Sequence, residues 1–234
     1  LLDYVLQPCK FSVHCSTLSS RSGMAKKPTH DTTVMTTSRI EAFSDGVFAI
    51  AITLLALQLE LPPGFATSPS DQQLVDELVR MAPSYFTFIL SFLVIGRYWM
   101  AHHDLFRRIK RSSRGLAGLN LLLLLTVVAL PFPTEVLGEY GNLPAAAIFY
   151  ALSISAVGIV MAWTWRYADQ HRLLDPSVSE EEIRSARYHS WMVPAVFLLS
   201  IPVALVEVTA AEVMWTATFF IGTFTRHHRS ADRK

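Results

Sequence analysis

Six long apolar segments dominate the sequence and limit the folds that it can adopt. Each is close to the roughly 20 residues that an α-helix needs to cross a hydrocarbon core of about 30 Å. Because the core offers no water, every backbone amide must be satisfied within its own helix, so segments of this length predict an all-α bundle rather than a barrel. We predict spans at Glu41–Leu61, Met81–Phe106, Leu116–Leu137, Leu143–Tyr167, Tyr188–Val206 and Thr209–Phe224.

The overall composition also indicates a membrane protein. Of the 234 residues, 51% are hydrophobic and 17% are charged, whereas about a quarter of the residues in a soluble domain are charged. The sixth segment is the shortest and contains Glu212. If it did not span, five spans would place the C-terminus on the opposite side of the membrane from the N-terminus.

The basic residues predict the orientation. All but two of the 20 Lys and Arg residues fall in the N-terminal segment, the second and fourth linkers and the C-terminal tail; the exceptions are Arg80 and Arg97. By the positive-inside rule both termini are cytoplasmic, which requires an even number of spans. The net charge is only +1 and no basic patch is interleaved with aromatic residues, so we expect no nucleic-acid partner.

Three parts of the chain are expected to differ in organisation. Residues 1–38 are polar, begin with Leu and include Met24 and Met35 as plausible true start positions. They predict a disordered or misassigned leader. The six-helix transmembrane domain is predicted over residues 39–226, and a short cytoplasmic tail over residues 227–234.

Two linkers carry signals for helix starts. In the first linker, Ser70 or Asp71 can cap a short helix at the outer surface. In the fourth, Ser177 or Ser179 precedes three glutamates that suit the first turn of a solvated cytoplasmic helix.

An acidic residue, Asp45, lies near the start of the first span. The uncharged run that follows it, Gly46–Leu59, covers only about 21 Å as a helix and is too short to cross the membrane alone. Asp45 is therefore predicted at the inner boundary or within the protein interior. The topology brings other polar side chains to the same depth, and these are Ser44, Trp99, His102, His103 and Asn120. A buried carboxylate is tolerable there if an imidazole, an amide or an indole donates a hydrogen bond to it.

A helical wheel divides the first span into two faces. At about 100° per residue, Ile50, Leu54 and Leu57 form a narrow stripe with Thr53 at its border. Asp45 points about 140° away from Ile50 on the same wheel. Whatever surface the aliphatic stripe faces, the carboxylate therefore faces a different one.

Three interpretations fit this arrangement. If the stripe lines an aqueous path between subunits, Asp45 anchors the helix and the protein is a channel narrowed by apolar rings. If Asp45 and His102 line a cavity instead, they could relay protons in a proton-coupled or proton-conducting transporter. Leucines at helical spacing also suit plain packing against lipid or core.

The sequence offers no support for an enzyme or a metal site. It has no catalytic Ser/His/Asp order and no glycine-rich phosphate loop. Cys9 and Cys15 are too few for a disulfide framework, and no Cys/His pair has zinc-site spacing.

Three sequence blocks resemble the transmembrane protein 175 family of potassium channels. The family signature R-x-x-x-F-S-D is matched at Arg39, Phe43, Ser44 and Asp45, followed by GVFAIAITLL. The segment Trp99–Phe106, WMAHHDLF, resembles the second-span motif of the family. The segment from Leu119, LNLLLLLTVVALPFPTEVL, resembles its third span.

The resemblance implies a potassium-selective cation channel without a carbonyl filter loop, in which potassium is the permeant ion and no cofactor is needed. A chain with one six-span repeat is similar to the prokaryotic members, which are homotetramers in the plasma membrane. The lipid bilayer, potassium ions and further copies of the chain are then its partners.

The resemblance also implies roles for individual residues. The first span would line the pore, with apolar constrictions at Ile50, Leu54 and Leu57 and a possible contribution from the Thr53 hydroxyl. A structural network would hold that span in place, with either His102 or His103 as its histidine; its members are Arg39, Phe43, Ser44, Asp45, Trp99, His102 and Asn120.

Overall fold

The computed structural model of the protein describes residues 36–61, 65 and 69–217. Their secondary structure is helical, apart from one isolated β-bridge between Ile109 and Leu174. Residues 208–217 form a further helical segment, which follows the seven named helices. The named helices are α1 (Thr37–Ala56), α2 (Asp71–Arg80), α3 (Ala82–Phe106), α4 (Arg114–Val128), α5 (Pro131–Tyr140), α6 (Pro144–Gln170) and α7 (Glu180–Ala204).

The prediction of an all-helical protein is confirmed for the described residues. Each of the first five predicted spans overlaps a helix or a helix pair, although α1 ends at Ala56, before the predicted end at Leu61. The sixth extends beyond residue 217 and so lies partly outside the described residues. The predicted leader, up to residue 35, and the predicted tail also lie outside them. Helix α1 begins at Thr37, two residues before the predicted domain boundary.

Three helical segments of the described chain are long and apolar enough to cross a membrane, namely Ala82–Phe106, Arg114–Tyr140 and Pro144–Gln170. The charged residues Arg39, Glu41 and Asp45 distinguish α1 from these three. Helix α7 differs because it begins with three glutamates, so that only its later part is apolar.

The predicted third span is interrupted. Helix α4 ends at Val128 and α5 begins at Pro131, with Ala129 and Leu130 in a turn between them. Proline has no amide hydrogen, so Pro131 and Pro133 cannot donate to the carbonyls four residues earlier. The Leu130 amide donates to the Val127 carbonyl, three residues earlier, at 3.1 Å, so the α-helical hydrogen-bond pattern is interrupted at this point.

The helix start predicted in the fourth linker is present, and Ser179 rather than Ser177 is its cap. The Ser179 side chain caps α7 by accepting a hydrogen bond from the Glu182 amide at 3.2 Å. The helix then continues without interruption into the fifth predicted span. In the first linker, Ser70 caps α2 through a complete capping box with Gln73, which agrees with the predicted short helix.

Helix α6 forms the centre of the bundle and packs against α4, α5 and α7. Its Gly158 allows close approach of α7, because a Cβ atom there would lie 2.7 Å from Pro194 Cδ and 2.8 Å from the Tyr98 hydroxyl. Trp215 closes the same core: its ring stacks on Phe197 with centroids 5.4 Å apart, and its Nε1 donates to Ser200 Oγ at 2.7 Å.

The two basic linkers contact each other. The Lys110 amide donates to the Leu173 carbonyl at 2.9 Å, and the Asp175 amide donates to the Arg108 carbonyl at 2.8 Å. Lys110 Nζ also lies 2.8 Å from Asp175 Oδ2. The C-terminal ends of α3 and α6 are therefore tied together outside the apolar core.

Replacing Gly158 with alanine should destabilise the protein by about 1–3 kcal/mol, the usual cost of overpacking a core. The added methyl group would displace Pro194 or the Tyr98 hydroxyl, which donates to the Ile154 carbonyl at 3.0 Å. Thermal unfolding in detergent measures the loss. Gly118→Ala is the matched control, since a Cβ at Gly118 meets nothing within 4 Å; equal melting temperatures for the two variants would contradict the packing argument.

The contact between the linkers should depend on pH through Asp175. Hydrogen bonds from Lys110, and then from the backbone and hydroxyl of Ser177, lower the pKa of Asp175 from 3.8 to about 2. A depressed pKa contributes stability above the unfolded value that is lost as pH falls through the folded value.

We therefore expect Asp175→Asn to lower the melting temperature slightly at pH 7, since the pair is at the surface. The difference from the wild type should shrink between about pH 4 and about pH 2. Asp71→Asn, on the exposed helix α2, is the control. A difference for Asp175→Asn that persists at low pH would show that the ion pair is not its source.

Candidate functional site

The N-terminal half of α1 is held by a buried chain of hydrogen bonds. His102 Nε2 lies 2.8 Å from Asn120 Oδ1. Asn120 Nδ2 donates to Ser44 Oγ at 2.9 Å, and that hydroxyl donates to the Ile40 carbonyl at 2.8 Å. The chain joins α3, α4 and α1 through three side chains that are almost fully buried.

This chain determines the tautomer of His102. Asn120 Nδ2 is already a donor to Ser44, so Asn120 Oδ1 is the acceptor and the histidine must carry its proton on Nε2. Its Nδ1 atom has no hydrogen-bond partner among the described residues. The ring is packed between Phe48 and Phe106, at centroid distances of 5.5 and 4.3 Å.

His103, the neighbouring imidazole, has different surroundings. Its Nδ1 lies 3.1 Å from Glu41 Oε1, and both side chains are partly exposed. The ring stacks on Trp99 with centroids 6.2 Å apart. The sequence left His102 and His103 as alternatives for the buried network, and the structure places His102 in it.

Asp45 bonds to the indole of Trp99. Trp99 Nε1 donates to Asp45 Oδ1 at 2.9 Å, and the carboxylate is only partly buried. No hydrogen bond joins Asp45 to His102 within the described part of the chain. The two α1 carboxylates, Glu41 and Asp45, therefore each contact α3 at a separate point.

Two predicted network residues lie elsewhere. Arg39 and Phe43 are on the exposed side of α1, and neither side chain takes part in the hydrogen bonds above. The structure thus joins Ser44, His102 and Asn120 in one chain and Asp45 with Trp99 in a second contact.

The predicted aliphatic stripe lies on the open face of α1. Ile50, Leu54 and Leu57 are 58%, 36% and 66% exposed. The opposite face is buried against the bundle and consists of Phe48, Ala51 and Leu55. Thr53 is also exposed, but its hydroxyl donates to the Ile50 carbonyl of its own helix at 2.8 Å.

Gln58 makes a contact between helices that the sequence did not predict. Its Nε2 donates to the Pro131 carbonyl at the start of α5. A polar side chain near the outer end of an apolar segment was the available signal. The pairing of Glu41 with His103 was also missed, because adjacent histidines do not reveal which partner each one faces.

The described residues contain no group of three or more His, Cys, Asp or Glu that could hold a metal ion. The polar residues around α1 instead hold the helix to the rest of the bundle and leave the apolar stripe uncovered.

Replacing Asn120 with leucine should destabilise the protein, because His102 Nε2 would lose its buried acceptor and Ser44 Oγ would keep only its bond to the Ile40 carbonyl. A buried polar group without a partner costs about 1–3 kcal/mol. A double-mutant cycle with Ser44→Ala, followed by unfolding in detergent, should give a coupling energy of about 0.5–3 kcal/mol. Asn142→Leu, at an exposed amide, is the control. Additive effects of the two mutations would show that the amide does not couple α1 to α4.

Comparison with known proteins identifies similar sequences and a similar fold. The sequence model of a family described as endosomal/lysosomal potassium channel TMEM175 matches residues 39–131. A potassium channel from Streptomyces collinus is 40% identical over 154 residues, covering 64% of this chain and 73% of that protein. The human endosomal/lysosomal proton channel TMEM175 is 31% identical over 153 residues, which cover 60% of this chain and 30% of that protein.

A solved structure supports the same assignment. The crystal structure of a lysosomal potassium-selective channel TMEM175 homolog from Chamaesiphon minutus superposes with a TM-score of 0.71 at 32% identity. The match covers 81% of this chain and 97% of that one. The similarity therefore extends beyond the motif-bearing helices to most of the described bundle.

Proposed function

Since this chain belongs to the TMEM175 family, we propose that it is a potassium-selective channel through which the ion passes passively along a pore lined by α1. Potassium as the permeant ion is supported by the potassium channel from Streptomyces collinus and the potassium-selective homolog from Chamaesiphon minutus. The observation that carries the role of α1 is its division into an anchored face and an open aliphatic stripe.

The protein is an integral membrane protein, and a complete single repeat would have six spans with both termini in the cytoplasm. The helix at residues 208–217 supports the sixth span, because Trp215 anchors it in the core between Tyr150 and Phe197. The distribution of basic residues supports the cytoplasmic termini. We place the channel in the plasma membrane, as the sequence resemblance implies.

A pore lined by α1 requires several subunits. A stripe on the outside of one subunit can enclose a path only if copies surround an axis, and closed cyclic symmetry is the usual arrangement. We propose a homotetramer, in which four copies of Ile50, Leu54 and Leu57 form successive apolar rings. The partners are then further copies of this chain, the lipid bilayer and potassium ions.

Selectivity would arise from dehydration at these rings. An aliphatic ring supplies no oxygen ligand, so an ion that passes through it must shed part of its hydration shell. Potassium loses water at a smaller cost than sodium, and a narrow ring therefore favours potassium. The Thr53 hydroxyl borders the stripe, but its bond to the Ile50 carbonyl leaves only its oxygen lone pairs to face the ion.

The contacts of Asp45 and His102 favour anchoring over proton relay. The human relative is named a proton channel, and a transporter that uses Asp45 and His102 is the alternative function. The hydrogen bonds from His102 run through Asn120 and Ser44 to the Ile40 carbonyl. That carbonyl belongs to the backbone and cannot pass a proton on. Asp45 lies outside this chain, because its partner is Trp99.

Replacing Ile50 with asparagine should lower the potassium-to-sodium permeability ratio several-fold, because the amide can replace water around either ion. Reversal potentials of the reconstituted protein, measured under potassium and sodium gradients, give this ratio. Ile89→Asn is the matched control, since Ile89 is an isoleucine of α3 that is exposed to a similar degree.

Unchanged permeability ratios in the Ile50 variant would rule out a constriction at this position. The same recordings separate the two functions: a channel follows the potassium gradient alone, whereas a coupled carrier shifts with pH in a fixed stoichiometric ratio.

A further inference from the structure

The two ends of α1 are held by different numbers of polar contacts. At the inner end, Ser44 bonds to Asn120, Asp45 bonds to Trp99 and Glu41 pairs with His103. Beyond Phe48, the buried residues of α1 are Ala51 and Leu55, which are apolar. Within the described part of the chain, the outer end has one side-chain hydrogen bond to another helix, and it is the bond from Gln58 to Pro131.

The backbone at the outer end is wound more tightly than an α-helix. The amides of Leu57, Gln58 and Leu59 donate to carbonyls three residues earlier, at 3.2, 3.2 and 3.3 Å. Such 3₁₀ turns have poorer hydrogen-bond geometry and are common at helix ends. Leu57, the outermost residue of the aliphatic stripe, therefore lies in a segment that its own backbone holds weakly.

The acceptor of Gln58 belongs to a well-packed part of the bundle. Pro131 is the first residue of α5, directly after the break from α4. The neighbouring Leu130 and Leu137 are almost completely buried. A carbonyl oxygen has two lone pairs, so the Pro131 oxygen can take part in α5 and still accept the bond from Gln58.

We infer that Gln58 is a positioning residue for conduction: its carboxamide ties the outer end of α1 to the start of α5 and thereby sets how far Leu57 projects into the pore. The inference rests on the proposed function of α1. Gln58 does not touch the ion, and it acts through the position of Leu57. Without this bond the outer turn can move away from the pore axis, and the outer ring becomes wider and less uniform.

Recordings of the reconstituted channel test the role of the carboxamide. Gln58→Met keeps the side-chain length but cannot donate a hydrogen bond. We expect the potassium-to-sodium permeability ratio to fall by about twofold to tenfold, the change in an equilibrium that one neutral hydrogen bond supports. Gln170→Met, at an exposed glutamine at the end of α6, should leave the ratio unchanged.

A second variant gives a signature that general destabilisation would not. In Gln58→Glu the carboxylate is ionised at neutral pH and cannot donate to a carbonyl, whereas its protonated form can. Lowering the external pH to about 4, near the ordinary pKa of a glutamate, should restore the ratio toward the wild-type value at that pH. The permeability ratios at neutral and at low pH are both measured on one preparation of assembled Gln58→Glu channels. This experiment therefore tests the role of Gln58 even if Gln58→Met folds poorly.

Disulfide formation gives a structural readout that does not depend on conduction. The chain has two cysteines, Cys9 and Cys15, and both are replaced with serine before Leu57→Cys is introduced. If Leu57 faces the axis, oxidation should link subunits across the pore. Adding Gln58→Met should reduce the yield of linked dimers at least twofold, because the outer turn is no longer held in one position.

The outcomes distinguish this inference from the proposed function. Wild-type selectivity and cross-linking in Gln58→Met, or the absence of pH rescue in Gln58→Glu, would overturn the role of Gln58 and leave the channel intact. A wild-type protein that carries no potassium current would instead overturn the proposed function.

Discussion

The amide of Asn120 is the interaction on which the position of α1 depends. It accepts a hydrogen bond from His102 and donates one to Ser44, so a single side chain of α4 holds both α3 and α1. These bonds form away from water, where breaking one leaves a polar group without a partner and is costly. A helix with one uncovered face needs such contacts, because it cannot obtain all of its stability from being surrounded by apolar neighbours. The polar residues of α1 therefore make it possible for its aliphatic stripe to remain exposed.

Much of this arrangement could be predicted from the sequence, because it follows from local periodicity. The stripe of Ile50, Leu54 and Leu57 repeats at helical spacing, and Asp45 falls on another face by the same geometry. Topology alone brought Asn120 and His102 to the depth of Ser44. What remained open was the choice between His102 and His103, since adjacent residues differ by about 100° around the helix and only packing decides which one is buried.

Other features depend on contacts that no local pattern reveals. The break between α4 and α5 is caused by Pro131 and Pro133, yet prolines are tolerated in transmembrane helices and do not by themselves mark an interruption. Helix α7 is continuous because its polar first turns, which begin with three glutamates, share one helix with the apolar residues that follow. Residue identities alone do not show whether two such segments form one helix or two. The contact of Gln58 could not be predicted because its acceptor is a backbone carbonyl of α5. Every residue has such a carbonyl, so the amino-acid sequence does not indicate which one accepts the bond.

The break in the third span and the asymmetry of α1 are connected. The turn at Ala129 and Leu130 directly precedes Pro131, whose carbonyl accepts the bond from Gln58 beyond the C-terminal end of α1. The inner end of α1 is held by three contacts and the outer end by one. If the proposed pore changes its width, the smaller energetic cost is therefore at Leu57 rather than near Ser44. The aliphatic rings would then differ in stiffness as well as in position, with the firmest ring closest to Asn120.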